Sequence, residues 1–172
     1  MQAQSPRDHT NTRRWAEVAQ AAVPFFWSGL VLGLSFIEAP LKFRAPGITR
    51  ELGLGIGRLV FGALNRVEIG LAIVALAAFL IGKAGRAAWI LLAIIGAILV
   101  TQTAWLLPVL DARAELTIRG APPASSFHHV LFIVIEVSKV VALIGLGVVS
   151  AGRLGGRSPD ATRAQEGQDP MQ

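Results

Sequence analysis

Apolar residues form four long runs along this chain of 172 residues, and most charged residues lie in the segments that separate and flank them. The runs cover residues 22–43, 57–81, 87–110 and 127–149. About 20 residues of helix cross the roughly 30 Å hydrocarbon layer of a bilayer, so each run is long enough to span it. Within lipid, a helix satisfies the backbone hydrogen-bonding groups of so long a segment internally. The pattern therefore predicts an all-α fold, a bundle of four transmembrane helices in an integral membrane protein.

The two ends of the chain differ in composition from the middle. Residues 1–20 and 151–172 carry many charged residues and too little apolar surface to offset the entropy lost on ordering. We predict an N-terminal tail at 1–20, a transmembrane domain at 21–150 and a disordered C-terminal tail at 151–172. The stretch RRWAEVAQAA in the first tail suits an interfacial helix anchored by Trp15, and a solvated lead-in to the first span fits it equally.

The distribution of basic residues predicts the orientation in the membrane. Four spans place both tails and the loop at 82–86 on one side, which holds eight Lys and Arg residues. The other side holds five, including Lys42 at the distal end of the first run, and the remaining three of the sixteen lie deeper in the spans. An excess of Lys and Arg marks the cytoplasmic side, so we predict both termini in the cytoplasm and a multi-pass location in a bacterial inner (plasma) membrane. The net charge of +5 comes with these flanking residues, which indicates a lipid bilayer and not nucleic acid as the partner.

Several kinds of chemistry are not expected. The chain contains no cysteine, which excludes disulfides, thiolate metal ligands and redox thiols. No nucleophile, base and acid recur in the pattern of a hydrolase or transferase, so we assign no catalytic residue and expect a protein that is not an enzyme. The same pattern implies no resident cofactor and no metal site. The sequence leaves the oligomeric state open.

Ionisable residues inside the runs all fall in one half of the membrane. Successive spans alternate in direction, so the ends of runs 1 and 3 and the starts of runs 2 and 4 share a leaflet on the side opposite both termini, here called the distal side. The other halves, such as GLAIVALAAFLI, hold no ionisable side chain. The candidate ligand- or ion-binding residues are the polar residues of the distal half: Glu38, Asn65, Glu68, Gln102, His129, Glu136 and Lys139.

Helical spacing groups these residues on two faces. Asn65 and Glu68 are three residues apart in the second run, and His129, Glu136 and Lys139 follow at i, i+7 and i+10 in the fourth. A charge at the bilayer centre costs at least about 2.5–3.5 kcal/mol on insertion scales, so such groups face the bundle interior and pair. We therefore predict that the two faces meet, with Glu68 or Asn65 within hydrogen-bonding reach of Lys139. Glu136 is expected to be the counter-charge of Lys139.

The other charged residues of the spans are predicted to lie around this cluster. Arg58 falls on the same helical face as Glu68. Glu38 should border the same cavity, and Lys42, one turn further on, is better placed for the lipid headgroups. Arg66 lies one residue off the polar face and is predicted to reach the outer headgroups.

Three functions fit this pattern. The first is an outward-facing charged pocket with a sealed floor that binds or moves a small polar ligand, a cation or a proton. The second is a haem- or quinone-linked membrane redox protein that uses His129. Because His128 and His129 point about 100° apart on a helix, they cannot both ligate one ion. The third is a structural or accessory subunit whose ion pairs only fix the register of the helices.

Prolines and glycines in the runs leave alternatives as well. Pro40 and Pro108, near the distal ends of runs 1 and 3, either end their helices or free a backbone carbonyl inside a polar interior. Gly29 and Gly33 form a G-x-x-x-G motif, which predicts a close helix approach within the bundle. The stretch GLGIG at 53–57 fails the G-x-G-x-x-G spacing of a nucleotide-binding loop and predicts a closely packed start to the second helix.

Four stretches together resemble a known family. FIEAPLKF in the first run, VFGALNRVE in the second, TAWLLPVLDAR at the end of the third and the HH…E…K pattern of the fourth are similar to a bacterial domain-of-unknown-function (DUF4149-like) membrane family related to eukaryotic transmembrane protein 205. The resemblance covers about residues 15–149. It implies a small polytopic membrane protein, and the link of the eukaryotic member with metal-drug tolerance suggests transport or trafficking. The layout is also similar to copper-resistance and porphyrin-oxidising four-helix proteins, which is an analogy of fold alone.

Overall fold

The computed structural model describes residues 6–120 and 127–156, with side chains from Asn11 onward. Four long helices follow one another along the chain, each antiparallel to the one before. The first helix, α1, consists of four consecutive segments: Pro6–Val31, the π-helical Leu32–Glu38, Ala39–Leu41 and the 3₁₀ Lys42–Arg44. The second helix, α2, covers Arg50–Ile81. The third helix, α3, consists of Arg86–Thr101, the π-helical Gln102–Leu106 and Leu107–Ile118. The fourth helix, α4, covers Phe127–Gly155. Each helix is long and apolar enough to cross a membrane, which confirms the predicted all-α four-helix bundle.

The helices extend beyond the predicted spans. α2 begins at Arg50 instead of residue 57, and α3 continues to Ile118 instead of residue 110. Thr49 accounts for the first difference, because its side-chain oxygen accepts a 3.2 Å hydrogen bond from the Leu52 backbone N–H and caps α2. Hydropathy marks only the part of a helix that suits lipid, whereas backbone hydrogen bonding continues into its polar ends.

Helix also extends into both predicted tails. α1 begins at Pro6, so the RRWAEVAQAA stretch is helical and continues directly into the first span. α4 ends at Gly155, inside the predicted C-terminal tail. The rest of that tail, at 157–172, lies outside the described residues, as do residues 1–5 and 121–126.

A π-helical turn occurs in α1 and in α3 at the same position relative to a proline. In α1 the N–H of Ala39, the residue before Pro40, bonds to the carbonyl five residues earlier, and in α3 the N–H of Leu107, before Pro108, does the same. Proline has no N–H, and in a regular α-helix its ring collides with the carbonyl four residues earlier, so a wider turn accommodates it. α3 continues to Ile118, so the helix-ending interpretation is wrong for Pro108, whereas α1 ends at Arg44, about one turn after Pro40.

The termini-side half of the bundle is a closed apolar core. α1 and α3 each pack against both α2 and α4. The buried core draws on all four helices and consists of Trp27, Val31, Phe79, Ala88, Ile95, Leu99, Val140, Ala142, Leu143 and Leu146. This core separates the polar residues of the distal half from the termini side of the membrane.

Glycine permits close helix approach at positions other than the predicted motif. A Cβ on Gly147 of α4 would lie 2.8 Å from the ring of Phe25 on α1, and a Cβ on Gly53 of α2 would collide with an aromatic ring of α1. The second contact fits the closely packed start predicted for α2. Among the described residues, a Cβ placed on Gly29 or Gly33 would meet no atom of another helix within 4 Å, so the predicted role of that pair in packing within the bundle is wrong.

Candidate intramembrane binding site

A lysine at the centre of the bundle binds two carboxylates. Lys139 of α4 is fully buried, and its ammonium group lies 2.5 Å from Glu68 Oε1 on α2 and 2.8 Å from Glu136 Oε2 on α4 itself. The Glu68 and Glu136 side chains are only 4% and 2% exposed. The predicted contact between Glu68 and Lys139 is confirmed, and the polar faces of α2 and α4 meet there.

Two residues from the π-helical segments complete the surroundings of Glu136. Ser35 on α1 donates a 2.8 Å hydrogen bond to Glu136 Oε1, and Gln102 on α3 donates a 2.6 Å bond to Glu136 Oε2. The side-chain oxygen of Gln102 also accepts a 2.8 Å bond from the Lys139 ammonium. A π-helical turn shifts side chains out of the regular α-helical register, and such turns are frequent at functional sites. All four helices thus contribute a side chain to one buried network, here called the central network: Ser35, Glu68, Gln102, Glu136 and Lys139.

Trp27 closes the central network on the termini side. Its indole N–H donates a 2.8 Å hydrogen bond to Glu68 Oε1, the oxygen that also binds Lys139. The hydropathy pattern did not point to Trp27 or Ser35, because neither carries a charge. In the predicted run 22–43, Trp27 is the sixth residue and falls near the interface, where tryptophan is usually enriched, so the sequence carried no signal for its role.

Asn65 joins α2 to α3 beside the central network. Its side-chain amide donates a 2.8 Å hydrogen bond to Thr103 Oγ1, in the π-helical segment of α3. Of the two partners proposed for Lys139 on α2, Glu68 makes the contact, and Asn65 instead holds the helix that carries Gln102.

A cavity of about 860 Å³ opens above the central network on the distal side. Ser35 and Glu136 belong both to the lining of the cavity and to the central network, so the network forms its floor. The distal ends of all four helices form the walls, which are largely apolar and include Phe36, Phe61 and Phe132. The rings of Phe61 and Phe132 pack edge to face with centroids 5.4 Å apart.

Ion pairs tie α2 to α3 at the wide end of this cavity. Arg58 donates bonds of 2.5 Å and 2.9 Å to the two carboxylate oxygens of Asp111 and a further bond to Glu115. Glu115 also pairs with Arg119, one turn later, at 2.8 Å. Both partners of Arg58, Asp111 and Glu115, lie in α3 beyond the predicted span at 87–110. The sequence therefore offered no acidic partner on α3, and it assigned Arg58 only to the helical face of Glu68.

Glu38 and Lys42 depart from their predicted positions. Glu38 is not among the residues that line the described cavity; it accepts a 3.2 Å bond from Lys42, one helical turn later. Lys42 points inward instead of toward the headgroups, with its ammonium 5.5 Å from the ring centre of Phe61 and 5.8 Å from that of Phe43. Their i, i+4 spacing and the neighbouring rings favour this arrangement. Arg66 is exposed on the helix surface, as a position at the headgroups requires.

The two adjacent histidines have different surroundings. His129 lines the cavity, whereas the ring of His128 packs edge-on against Trp105 at a centroid distance of 6.1 Å. Within residues 11–120 and 127–156, no group of three or more His, Cys, Asp or Glu side chains is arranged to hold a metal ion. Four of the seven candidate residues lie in the central network: Glu68, Gln102, Glu136 and Lys139. Asn65 lies beside the network, His129 lies in the cavity wall, and Glu38 lies outside both.

Fold and site together define the class of the protein. Four apolar helices surround a buried charged network, which is the architecture of a multi-pass membrane protein. Comparison with known protein families, with curated proteins and with solved structures gives no match to the chain. The assignment of a function therefore depends on the chemistry of the site.

Proposed function

We propose that the protein binds a small organic cation in the distal cavity, with Glu136 as the carboxylate that receives it. The observation that carries this proposal is the double position of Glu136, which lines the cavity and belongs to the central network. A ligand at the floor meets a carboxylate that pairs with Lys139 and accepts hydrogen bonds from Ser35 on α1 and Gln102 on α3. Occupancy of the cavity is thereby coupled to the packing of the helices.

The charge of the central network favours a cation. Two carboxylates, Glu68 and Glu136, face one ammonium group, Lys139, which leaves a formal charge of −1. An uncompensated charge in an apolar interior is costly, and proteins compensate it by pairing. A cation or a proton that enters from the distal side supplies the missing positive charge.

The walls of the cavity favour an organic cation in particular. A volume of about 860 Å³ lies within the range of roughly 300–1,000 Å³ common for small-molecule sites. Aromatic rings attract cations within about 6 Å of their centres. Phe36 and Phe132 supply such rings in the walls, and Phe61 already holds the Lys42 ammonium at 5.5 Å. Apolar walls with a carboxylate at the floor suit a substituted ammonium group with apolar substituents.

The location that suits this function is a bacterial inner membrane with both termini in the cytoplasm. The excess of Lys and Arg on the termini side supports this orientation, in which the distal cavity opens away from the cytoplasm. The resemblance to the DUF4149-like family supports a role in transport or trafficking. In this proposal the cavity is the entry site for the cation.

Binding of tetramethylammonium to the purified protein in detergent tests the proposal. We expect a saturable rise in melting temperature relative to sodium chloride at equal ionic strength, since a ligand at 100 times its Kd stabilises a protein by about 2.7 kcal/mol. Glu136→Gln should abolish this rise, because the floor loses the charge that receives the cation. Glu51→Gln is the matched control, since it removes an exposed carboxylate from the distal end of α2.

Two results would contradict the proposal: a wild-type protein that does not respond to tetramethylammonium, or a Glu136→Gln variant that responds as the wild type does. The first result would favour a structural role, which the bonds of Lys139 to three acceptors also suit. The redox alternative based on His129 predicts a haem or quinone absorbance band in the purified protein.

A further inference from the structure

A second cavity, of about 280 Å³, opens at the termini-side end of the bundle. It lies where the turn between α2 and α3 meets α1 and the last turns of α4. Its polar lining consists of Glu17, Gln20, Lys83, Ser150 and Arg153. The apolar core separates it from the central network, so its role is independent of the function proposed above.

Ser150 places an unused hydroxyl group in this lining. The residue is 4% exposed, and its Oγ has no hydrogen-bond partner among the described residues. Hydroxyl groups inside helices often donate to the carbonyl one turn earlier. Ser138 of the same helix does so at 2.8 Å and Thr101 of α3 does so at 2.9 Å, each to the carbonyl four residues before it. A buried hydroxyl without a partner is costly, so Ser150 has a donor available for a ligand.

Positive charge converges on the same space. The Arg153 guanidinium packs so closely on Gly85 that a Cβ at that glycine would overlap it. Gly85 is the N-cap of α3 and has no side chain to cap the first backbone N–H groups of that helix. These N–H groups carry a partial positive charge, and they lie next to the Arg153 guanidinium. Lys83, in the turn just before, adds a second cation to the lining. An anion between these groups would relieve their mutual repulsion.

The other polar residues set the shape and the net charge of the cavity. Gln20 fixes the α1 wall, because its amide donates a 2.9 Å hydrogen bond to the Ala78 carbonyl near the end of α2. Glu17 contributes one carboxylate against the charges of Lys83 and Arg153, which leaves the lining with a formal charge of +1.

We propose that this cavity binds a phosphate group, presented by the headgroup of a phospholipid in the termini-side leaflet. Guanidinium, ammonium and hydroxyl donors beside a helix N-terminus are the groups that proteins use to bind phosphate. α2 ends at Ile81 and α3 begins at Arg86, so the cavity lies where the helices leave the hydrocarbon and the lipid phosphates begin. A soluble phosphate ester carries the same group, and the experiment below separates the two sources.

The test uses the full-length protein, delipidated in detergent and titrated separately with phosphatidylglycerol, glycerol phosphate and inorganic phosphate. We expect saturable binding of phosphatidylglycerol, measured by melting temperature and by lipid retention in native mass spectrometry. Arg153→Gln should weaken this binding about tenfold through loss of a charge-assisted hydrogen bond. Ser150→Ala should weaken it to a smaller degree, and Gly85→Ala should weaken it without any change of charge, because the new methyl group displaces the guanidinium.

Two control variants remove the same groups elsewhere. Arg66→Gln removes an exposed positive charge from the distal half, and Ser138→Ala removes a hydroxyl that is bonded within its own helix, so both should bind phosphatidylglycerol as the wild type does. Binding of glycerol phosphate or inorganic phosphate with the same dependence on Arg153 would support the phosphate site and assign it to a soluble ester. Absence of binding by all three probes, or equal binding by the wild type, Ser150→Ala and Gly85→Ala, would overturn the proposal. The last two variants decide the outcome if Arg153→Gln does not fold.

Discussion

Replacement of Lys139 by methionine should lower the free energy of unfolding by about 3–5 kcal/mol, the range for removal of one partner from a buried ion pair. Glu68 and Glu136 lose their shared counter-charge, and both are almost completely buried. The formal charge of the central network changes from −1 to −2. Denaturant unfolding of the detergent-solubilised protein, followed by circular dichroism, measures the loss.

Two companion variants separate this effect from a general intolerance of substitution. Arg66→Met removes a cation from an exposed position and should change the free energy of unfolding by less than about 0.5 kcal/mol. Combining Lys139→Met with Glu68→Gln and Glu136→Gln removes all three charges and should restore part of the lost stability. Wild-type unfolding of Lys139→Met would show that water reaches the network, contrary to the burial described above.

Neutralisation of Glu136 alone should lower the free energy of unfolding less than replacement of Lys139 does. If Glu136 were the only counter-charge of Lys139, Glu136→Gln would leave a buried ammonium group unpaired, which is costly. The confirmed contact of Lys139 with Glu68, at 2.5 Å, means that the variant keeps a neutral Glu68–Lys139 pair. We therefore expect a smaller loss of stability than for Lys139→Met, which makes Glu136→Gln suitable for the binding experiment.

The second large effect concerns Trp27. Trp27→Ala should lower the free energy of unfolding by about 3–5 kcal/mol, because the side chain is 1% exposed and fills the core beneath the central network. Trp27→Phe keeps most of the ring and removes only the N–H donor to Glu68, so its cost should be about 1–3 kcal/mol. The same unfolding measurement applies to both variants.

Trp15 provides the matched control for Trp27. It is 67% exposed on the same helix, and Trp15→Ala should unfold close to the wild type. Equal stability of Trp27→Phe and the wild type would mean that the indole N–H does not stabilise the Glu68 carboxylate. Equal losses for Trp15→Ala and Trp27→Ala would contradict the assignment of Trp27 to the core.

The fold and the centre of the site were predictable from the sequence because lipid imposes a simple constraint. Twenty apolar residues in a membrane must form a helix, and charges at the same depth must find each other. The spacing of Glu68 on α2 and of Glu136 and Lys139 on α4 therefore sufficed to predict their meeting.

The parts that were not predictable depend on packing and on local backbone geometry. The π-helical turns follow from Pro40 and Pro108, but hydropathy does not show that a helix continues through its proline. Without those turns, Ser35 cannot be recognised as a partner of Glu136. Likewise, the partners of Arg58 lie beyond the apolar run. Because hydropathy marks only the apolar part of a helix, it does not show that α3 continues to Ile118.

Thiol labelling of single-cysteine variants tests most directly the claim that the cavity opens to the distal side alone and ends at the central network. The chain has no cysteine of its own, so each variant reports one position. Thr103→Cys, in the cavity wall, should react with a membrane-impermeant thiol reagent from the distal side, and tetramethylammonium should slow that reaction. Ser150→Cys should react from the termini side, and Leu143→Cys, in the fully buried core, from neither side. Reaction of Thr103→Cys from the termini side, or no reaction at that position from either side, would contradict the account.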